Sequence, residues 1–532
     1  MTRTRKTALT IVAVLTPLLV GGFVIQERST RDGVRLFEQV FSIVGDRFVD
    51  SVGTSDLYEK AARGLLRELK DPYTELYTPK QLEAFNTTTG GFYGGVGMLI
   101  EEQEGNIIIS KVYPHTPAEE AGILEGDRII QVDTASTRGW RIDQVSARLK
   151  GEPGTKVTAK FARAGYPEPI TATFTRRVIR IPAIPYAIML DGKVGYVPVQ
   201  NFNETSAGEL AMQITRLQGE GARGLVLDLR GNPGGFLDQA LEMSGLFLPK
   251  GQEILSVRDR QGISERHKAE GNPVAPRLPL VILTDGYTAS SSEIVAGALQ
   301  DHDRALIVGS TSFGKGLVQS VYRLDGGFAI KLTTGKWYTP SGRSIQKERK
   351  LLDDGQFIEV RPDSLESDAE RRSRPRFKSD GGRVVYGGGA ITPDIIIPYD
   401  TLTTIEQKVA RALNSKGQVT YITLYDFAFG EKGKVKPDFV VTPAMRDEFY
   451  GRLQAKGVVV DKKDFDAASD YISRIIDNRI SRLAFGDSTA KRREVGEDVH
   501  LMKALDLLRK GQTQHDLFTL AASLTPSASV KR

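Results

Sequence analysis

The spacing of apolar residues divides the chain into segments with different predicted structures. Between residues 31 and 90, apolar side chains recur every three or four positions, which is the spacing of one face of an α-helix. These residues are Val34, Phe37, Val40, Phe41 and Val44 in a first stripe, and Leu57, Ala61, Leu65 and Leu66 in a second. Asp71-Pro72 ends the second helix. The N-terminal helical region as a whole is predicted to cover residues 26–90.

Residues 91–180 carry short β-type runs instead. The predicted strands are Val96–Ile100, Ile107–Val112, Arg128–Val132 and Lys156–Phe161, and they are separated by Gly105-Asn106, Gly126-Asp127 and Pro153-Gly154. Short helices are predicted at Pro117–Ala121 and Ile142–Leu149. Turn residues at such short intervals indicate a small β domain over residues 91–180.

Residues 190–345 alternate apolar strands with amphipathic helices. The predicted strands are Lys193–Pro198, Gly224–Leu229, Leu280–Leu283 and Ala305–Val308, and the helices are Ser206–Gly219, Phe236–Leu246 and Ser291–Gln300. Such alternation is typical of an α/β domain with a largely parallel sheet. We expect this domain to span residues 181–398, with the charged segment 347–386 as a solvated insertion.

Residues 399–522 are mixed but predicted to be mostly helical. The clearest helix is Ala467–Leu483, with apolar residues at Tyr471, Ile472, Ile475, Ile476 and Ile480. This region is a candidate for assembling a homo-oligomer or binding an adaptor. The final residues, 523–532, are expected to be disordered.

The N-terminus contains an uncharged run of eighteen residues, 8–25, preceded by Arg3, Arg5 and Lys6. As a helix this run would be about 27 Å long, close to the thickness of a bilayer core. Positive charges before it predict that the N-terminus stays in the cytoplasm and that the rest is exported. Residues 1–25 are therefore predicted to be a signal peptide or an anchor in the inner membrane. No Ala-x-Ala motif follows, which favours the anchor and a periplasmic location over secretion.

Composition excludes several classes of chemistry. The 532 residues contain no cysteine, which excludes disulfides, cysteine nucleophiles and thiolate metal sites. The five histidines are scattered without a His-Glu-x-x-His motif, which disfavours a histidine-based metal site or a Ser-His-Asp triad. A net charge of +6 is small for this length, and basic and acidic residues are interspersed, so nucleic acid is not expected as a partner. No cofactor or metal is expected either, because the hydrolytic chemistry considered below requires neither.

The most informative motif is a serine cluster at a predicted helix start. Ser290 precedes Glu293 by three residues, and the apolar run Ile294–Leu299 follows, which is the pattern of a capping box. Capping alone explains such a cluster in most proteins. The same geometry would also suit a nucleophile, because the N–H of Ser291 at the helix start could stabilise an oxyanion.

Lys315 follows Ser290 by twenty-five residues and lies in a glycine turn. The segment Gly309–Gly316 nearly matches a phosphate-binding loop, but Gly316 replaces the Ser or Thr that binds Mg²⁺, and a strand follows instead of a helix. On strand spacing Lys315 and Gln319 share a face, so Gln319 could position the lysine. As a base the lysine must be neutral, which requires burial to lower its pKa from about 10.4 towards ~7. An exposed turn lysine is the ordinary alternative.

Two glycine-rich loops could supply backbone donors. One is Arg230-Gly231-Asn232-Pro233-Gly234-Gly235, at the end of a predicted strand, and the other is Gly95-Val96-Gly97-Met98. The first is either a tight turn or a source of oxyanion donors from Gly234 or Gly235. The second is either an ordinary hairpin or a site that holds a carboxylate while the next strand accepts a peptide along its edge. Asp301, at the end of the serine helix, is predicted to be structural.

Together these motifs resemble the C-terminal processing peptidases, also called tail-specific proteases. The matching segments are Leu229–Gly235, the Ser290 block, Phe313–Gln319, Tyr338–Gln346 and Gly389–Asp394, in the family's order within residues 35–398. Residues 91–180 resemble the family's PDZ domain through Pro117–Asp127. The resemblance implies an N-terminal helical segment, a PDZ domain and an α/β protease core with a crotonase/ClpP-like spiral sheet. Residues 400–532 match no part of the family that can be assigned, so the mostly helical C-terminal region is predicted from its own sequence pattern.

The resemblance also implies roles for single residues: Ser290 as nucleophile, Lys315 as base and Gln319 as the residue that orients the lysine. It implies a metal-free serine endopeptidase for proteins with free C-terminal tails, captured by the PDZ domain. Ser291 departs from the family, because alanine is usual at its position. The insertion 347–386 is a second departure. The alternatives are a catalytically silent PDZ scaffold and a nucleotide-binding protein.

Overall fold

The computed structural model describes residues 31–103, 105–163, 166–351, 357–359, 373–398 and 402–524. The predicted membrane segment 8–25 and all but the first two residues of the predicted disordered tail lie outside these ranges. Within them, no helix combines the length and the apolar character needed to cross a membrane. The chain divides into two compact units, of which one runs to Pro79 and includes Gln319–Thr333, and the other contains Lys80–Val318 and Thr334–Arg532.

The first unit contains helices α1 (31–47) and α2 (Thr54–Glu68) and strand β1 (Glu75–Tyr77). The predicted helices over this region are confirmed, whereas β1 was not predicted. Strand β1 pairs antiparallel with residues 329–331 of a later strand, with Glu75 opposite Lys331. Gln319 belongs to this unit, and its Nε2 donates a hydrogen bond to the carbonyl oxygen of Tyr73 at 2.8 Å.

Helix α3 (Pro79–Gly90) leads into the small β domain. Its strands are β2 (Phe92–Gly95), β3 (Met98–Gln103), β4 (Asn106–Val112), β5 (Arg128–Val132), β6 (Ala135–Ser136), β7 (Lys156–Ala162), β8 (Ile170–Thr175) and β9 (Arg177–Arg180), with helices α4 (Pro117–Glu120) and α5 (Ile142–Leu149). The main sheet has the order β3-β4-β5-β7-β8, and β2 pairs with β9. The predicted strand Val96–Ile100 is confirmed only from Met98 onwards, because the backbone turns at Gly97, where φ is +92°.

The α/β domain is built on a second sheet. Strands β10 (Ile188–Leu190), β11 (Val194–Pro198), β12 (Gly224–Asp228), β15 (Leu280–Thr284), β16 (Leu306–Gly309) and β23 (Ile395–Ile396) form it in that order. All neighbours after β10 are parallel. Helices α6 (Ser206–Gly219), α7 (Leu237–Gly245) and α8 (Ser291–Asp301) pack on one face, so the predicted α/β arrangement is confirmed.

A further layer covers these helices. It contains the hairpin of β13 (Glu253–Asp259) and β14 (Gly262–Lys268), and β13 pairs with the end of β18 (Ala329–Tyr338). Strand β17 (Leu317–Arg323) pairs with β18. Every residue of α8 is buried between the layers. The helix that follows Ser290 is therefore a central core element.

The insertion contains the hairpins β19 (Arg349–Leu351) with β20 (Phe357–Glu359) and β21 (Arg376–Lys378) with β22 (Val384–Tyr386). The second hairpin is largely exposed, as predicted for a solvated insertion, but it is also attached to the α/β domain by specific contacts. Arg383 forms ion pairs with Asp303 and Asp394, and Val385 is buried. These contacts offset the polar character of the segment and fix it to the α/β domain.

The C-terminal region is helical, as predicted. Its helices are α9 (Thr404–Ser415), α10 (Gly417–Glu431), α11 (Pro443–Ala455), α12 (Lys462–Ala467), α13 (Ser469–Glu494), α14 (Val499–Lys510) and α15 (Gln514–Leu524). Helices α9–α13 share a core around Phe427, Phe449 and Phe465. Helices α14 and α15 instead cover the second face of the α/β sheet. The region is therefore divided between a helical cluster of its own and the core of the α/β domain.

Candidate active site

Ser290 lies at the start of α8 in a strained backbone conformation. Its φ is 54° and its ψ is −114°, a combination that residues other than glycine rarely adopt. The side chain is half-buried, whereas the helix behind it is fully buried. The backbone N–H of Ser290 donates to Glu293 Oε2 at 2.9 Å, so the carboxylate half of the predicted capping box is present.

Glu293 connects the serine helix to the lysine turn. Its Oε2 accepts from the backbone N–H of Ser290 at 2.9 Å and from that of Lys315 at 2.8 Å. Its Oε1 accepts from Ser312 Oγ at 2.5 Å and from the N–H of Gly314 at 2.7 Å. Because one oxygen accepts both bonds, the backbone nitrogens of Ser290 and Lys315 lie within about 6 Å of each other. Burial raises the pKa of Glu293, and these hydrogen bonds oppose that shift.

The turn around Lys315 is held on both sides. Trp337 Nε1 donates to the carbonyl oxygen of Lys315 at 3.2 Å, and the N–H of Gly316 donates to Gln346 Oε1 at 2.8 Å. Gly314 has a φ of +84°, and a Cβ there would lie 2.6 Å from Lys347 Cγ. The nucleotide-binding alternative is contradicted, because the N–H groups that a phosphate would need, those of Gly314 and Lys315, already donate to Glu293.

The glycine loop after β12 packs directly against the start of α8. Asn232, which is fully buried, accepts a hydrogen bond from the N–H of Ala289 at 3.0 Å and one from Ser292 Oγ at 3.1 Å, both at its carbonyl oxygen. Its side chain donates to Val199 O at 2.7 Å. A Cβ on Gly234 would lie 2.9 Å from the Cβ of Ser290, so only glycine fits there. The loop and the serine are therefore positioned by each other.

The three predicted oxyanion donors differ in whether their N–H groups already donate a hydrogen bond. The N–H of Gly234 donates to Asn232 Oδ1 at 2.9 Å, so the prediction of Gly234 as a donor was wrong, since its hydrogen is already engaged in the turn. Among the hydrogen bonds of the described residues, none uses the N–H of Gly235 or of Ser291. Ser291 Oγ donates to the carbonyl oxygen of Gly235 at 2.9 Å, which joins these two segments.

The candidate tail-binding loop lies between β2 and β3. Gly95 ends β2, Val96 is buried, and Gly97 is so close to Thr116 that a Cβ would lie 2.3 Å from the threonine Cβ. Met98 begins β3, which is the terminal strand of its sheet and has α5 beside it. Among the described residues no strand pairs with the outer edge of β3. That edge can accept an extended peptide.

Sequence reasoning missed the residues that hold the site together. Glu293 was assigned only to a helix cap, and Asn232 and Asp285 were given no role. Asp285 is buried and accepts from the N–H of Gly231 at 3.0 Å. The Ser-x-x-Glu pattern did point to Glu293, but nothing local in the sequence shows that its carboxylate also reaches Lys315. Asp301 is structural, as predicted, since it forms a buried ion pair with Arg343 at 2.7 Å.

Comparison with known proteins identifies the family. Residues 193–363 match peptidase family S41, residues 108–163 match a PDZ domain, and residues 24–80 match the N-terminal domain of the activating protease CtpB. The carboxy-terminal processing protease CtpA of Bacillus subtilis is 34% identical over 342 residues, which cover 64% of this chain and 73% of that protein. The carboxy-terminal-processing protease of Bartonella bacilliformis is 36% identical over 325 residues, which cover 60% of this chain and 74% of that protein.

Two solved structures are similar to parts of the chain. The photosystem II D1 C-terminal processing protease is 27% identical and covers 71% of this chain and 91% of its own, with a TM-score of 0.37. The PDZ domain of a carboxy-terminal protease from Vibrio cholerae, solved with a peptide, is 31% identical and covers 17% of this chain and 98% of its own, with a TM-score of 0.16. The chain belongs to peptidase family S41, among the carboxy-terminal processing proteases. It is therefore a serine-type endopeptidase with a PDZ domain, as the sequence predicted.

Proposed function

We propose that this protein is an exported endopeptidase that cleaves proteins recognised by their C-terminal tails, with Ser290 as nucleophile and Lys315 as general base. The observation that carries this assignment is the position of Glu293. One oxygen of this buried carboxylate binds the backbone of both residues, although they are far apart in sequence. A nucleophile and its base must lie within hydrogen-bond reach of each other in the reacting complex.

The carboxylate of Glu293 is fully used in holding its surroundings. A carboxylate offers about four acceptor positions, and those of Glu293 are filled by four donors. Glu293 therefore positions the turn that carries Lys315, and the neutral amine of Lys315 that the reaction needs is part of the proposal. We propose that Gln319, to which the family resemblance assigns this role, orients that amine during the reaction.

The proposed reaction needs no metal. Ser290 Oγ attacks the scissile carbonyl while neutral Lys315 takes its proton, and a tetrahedral oxyanion forms. The N–H groups of Ser291 and Gly235 are proposed to stabilise the oxyanion. The protonated lysine then gives its proton to the leaving amine, and water hydrolyses the acyl-enzyme.

Tail recognition is assigned to the PDZ domain. In this proposal the N–H groups of the loop from Gly95 to Met98 hold the terminal carboxylate of the substrate, and the peptide pairs with the free edge of β3. The sharp turn at Gly97 supports the assignment, because it turns the backbone just before the strand. The names of the relatives, which are carboxy-terminal processing proteases, support it as well.

Export is proposed from the N-terminal sequence. Residues 8–25 follow three basic residues and are apolar enough to cross the inner membrane, which would place the catalytic part in the periplasm. The full-length protein is expected in the membrane fraction, and the protein without residues 1–25 in the soluble fraction. Recovery of both forms in the same fraction would contradict the anchor.

The dyad is tested by degradation of an unstructured protein with an apolar C-terminal tail, by the protein lacking residues 1–25, with EDTA present. Wild type is expected to cleave it, whereas Ser290→Ala and Lys315→Ala are not. Lys336→Ala, which removes an exposed lysine from β18, is the control and should cleave normally. Cleavage by the Ser290 or Lys315 variant would reject the dyad.

The role of the tail is tested with two peptides that differ only at the C-terminus. The peptide with a free carboxylate should be cleaved much faster than its amidated form, because the amide removes the charge that the PDZ loop binds. Equal rates would contradict tail recognition. Binding of the free peptide without any cleavage would favour the alternative of a PDZ scaffold.

A further inference from the structure

Arg230 begins the glycine loop that packs against Ser290, and two carboxylates hold its guanidinium group. Asp228, at the end of β12, accepts from Nε at 2.9 Å and from Nη2 at 2.6 Å. Asp498 accepts from Nη1 and from Nη2, each at 2.8 Å. Asp498 lies 268 positions further along the chain, in the C-terminal helical region. The loop is therefore attached to a part of the chain outside residues 193–363, the segment that matches the peptidase family.

The attachment is a buried network with balanced charges. Lys491, near the end of α13, donates to Asp498 Oδ2 at 2.7 Å, and Tyr196 donates through its hydroxyl to Asp228 Oδ2 at 2.8 Å. The exposed fractions are 17% for Arg230, 7% for Asp228 and 9% each for Asp498 and Lys491. Two cations thus face two carboxylates away from water, and the more exposed carboxylate of Glu494 lies 4.0 Å from Lys491 Nζ. Burial raises the pKa of Asp498, but the hydrogen bonds and charges of Arg230 and Lys491 outweigh this and hold it well below its ordinary value.

We propose that Asp498 is a positioning residue for catalysis, which acts through Arg230 to hold the loop of residues 230–235 against the start of α8. This inference rests on the proposed function, in which the N–H of Gly235 binds the oxyanion. It assigns a role to the C-terminal helical region: α13 and α14 supply Lys491 and Asp498, and these complete the support of the oxyanion loop.

The loop is held against α8 and its neighbouring segments by several hydrogen bonds. Gly231 is bound by Asp285, Asn232 by Val199 and Ala289, and Gly235 by Ser291. Phe202 donates its N–H to the carbonyl oxygen of Gly234 at 3.0 Å. The side chain of Arg230 is the loop's connection to the C-terminal region. Without the carboxylate of Asp498, a buried cluster of two cations and one anion remains, which is an uncompensated charge. The guanidinium group would then move towards water and displace a loop whose donor must be placed within a fraction of an ångström.

The test uses Asp498→Asn in the protein lacking residues 1–25. Asp498 is also the N-cap of α14, where it accepts from the N–H of Leu501 at 3.0 Å. Asparagine caps helices equally well, so this variant removes the charge and keeps the helix start. The matched control is Asp461→Asn, because Asp461 caps α12 in the same region and accepts only from local backbone groups. A second variant, Arg230→Lys, keeps the positive charge but cannot bind two carboxylates through a fork.

Two measurements are made on each variant: hydrogen exchange of peptides covering residues 229–236, and steady-state cleavage of the tailed substrate. We expect Asp498→Asn and Arg230→Lys to exchange this loop at least tenfold faster than wild type. We expect their kcat to fall at least tenfold, with KM and tail-peptide binding changed less than twofold. Asp461→Asn should match wild type in both measurements.

Unchanged loop exchange in Asp498→Asn would overturn the proposal, whatever the activity. Faster loop exchange with unchanged kcat would also overturn it, because the loop would then be held for stability alone. A fall in activity caused by a rise in KM would assign Asp498 to substrate binding and reject the positioning role. If wild type cleaved nothing, the proposed function would fail, whereas the exchange of the loop would still decide whether Asp498 holds it.

Discussion

At the scale of single residues, several polar groups hold the backbone around Ser290 and Lys315. The positive φ of Ser290 costs on the order of 1–3 kcal/mol, and it is maintained by contacts on two sides. Glu293 binds the N–H of Ser290, and Gly234 packs against its Cβ. The strain and the close packing leave the N–H of Ser291 at the helix start without a partner among the described residues.

Replacement of Glu293 by glutamine tests the bridge between serine and lysine. The variant removes a buried charge, which by itself would stabilise the protein. However, Glu293 accepts four hydrogen bonds, and the NH₂ group of glutamine would point its own hydrogens at two of the four donors. Each buried donor left unpaired costs about 1–3 kcal/mol. We expect a lower free energy of unfolding in urea and a loss of most cleavage activity. The control is Glu242→Gln on α7, which makes the same change at an exposed side chain. Gln239→Glu on that helix makes the reverse change at a buried amide and is not an equivalent control.

A stable and active Glu293→Gln variant would show that the backbone of Lys315 is positioned without the carboxylate. The proposed dyad would then lose its main structural support.

Ser291→Ala tests whether the hydroxyl group beside Ser290, the proposed nucleophile, holds the loop that is proposed to bind the oxyanion. Its Oγ donates to the carbonyl oxygens of Gly235 at 2.9 Å and of Phe236 at 3.3 Å. One hydrogen bond contributes about 1 kcal/mol, so kcat should fall by up to about tenfold while KM stays constant. Ser244→Ala is the control, because that buried hydroxyl donates within its own helix. Equal kcat values for the two variants would contradict a role of Ser291 in catalysis.

At the scale of elements, the glycine loop and α8 form one unit whose shape depends on two left-handed glycines. Gly231 has a φ of +71° and Gly234 a φ of +97°. They differ in surroundings: a Cβ on Gly231 would meet nothing within 4 Å, whereas one on Gly234 would lie 2.8 Å from the carbonyl oxygen of Ala289. Alanine substitutions at these two glycines therefore distinguish the effect of backbone strain from the effect of steric overlap.

Gly234→Ala is expected to reduce activity more than Gly231→Ala. Both variants carry the cost of a side chain at positive φ, about 1 kcal/mol. Only the first also pushes the loop away from Ser290, which should lower kcat at least tenfold beyond the control. The measurement is kcat together with the melting temperature of each variant. Equal losses in both would show that strain alone matters at these positions.

At the scale of the whole molecule, the last two helices of the C-terminal region, α14 and α15, are part of the α/β core. Leu501, Leu505 and Leu508 of α14 pack against Val194, Val226 and Val281 of the central sheet. An α/β sheet needs both faces covered. Helices α6, α7 and α8 cover one face, and the second is covered by residues near the end of the described chain.

Leu505→Ala is therefore expected to destabilise the α/β domain, although it lies about two hundred residues from the catalytic motifs. Its side chain is fully buried, and such truncations cost about 2–5 kcal/mol. Met502→Ala, on the exposed side of the same helix, should change stability by less than about 0.5 kcal/mol. Urea unfolding followed by tryptophan fluorescence measures both, in a Trp140→Phe background that leaves Trp337 as the signal. Similar values for the two variants would contradict the packing of α14 on the sheet.

The Asp498 network predicts a pH dependence of stability. The folded pKa of Asp498 is lowered, so its contribution is complete above the unfolded pKa of about 3.9 and is lost as pH falls through the folded pKa. The difference in unfolding free energy between wild type and Asp498→Asn should be largest near pH 7 and should shrink below about pH 4. A difference that stays constant from pH 7 to pH 3 would contradict the charge pairing.

The sequence alone determined the local structures and the class of enzyme. The spacing of apolar residues predicted α6, α8 and the parallel strands, because burial on one side of a helix or on both faces of a strand leaves a periodic pattern. The Ser-x-x-Glu motif and the Gly-Lys-Gly turn, in order with the glycine loop, indicated the peptidase family. These signals are contained within a few residues each.

Only the tertiary structure decided which groups meet. Glu293 accepts a hydrogen bond from the backbone of Lys315, and Arg230 pairs with Asp498, although in each case the partners are far apart in the sequence. The N–H of Gly234 donates to the side chain of Asn232 within the turn itself. A polar side chain looks the same in a sequence whether it faces water or a buried backbone group. Its partner is set by how the layers pack, so neither the support of the site nor the place of the C-terminal helices could be derived before the fold was known.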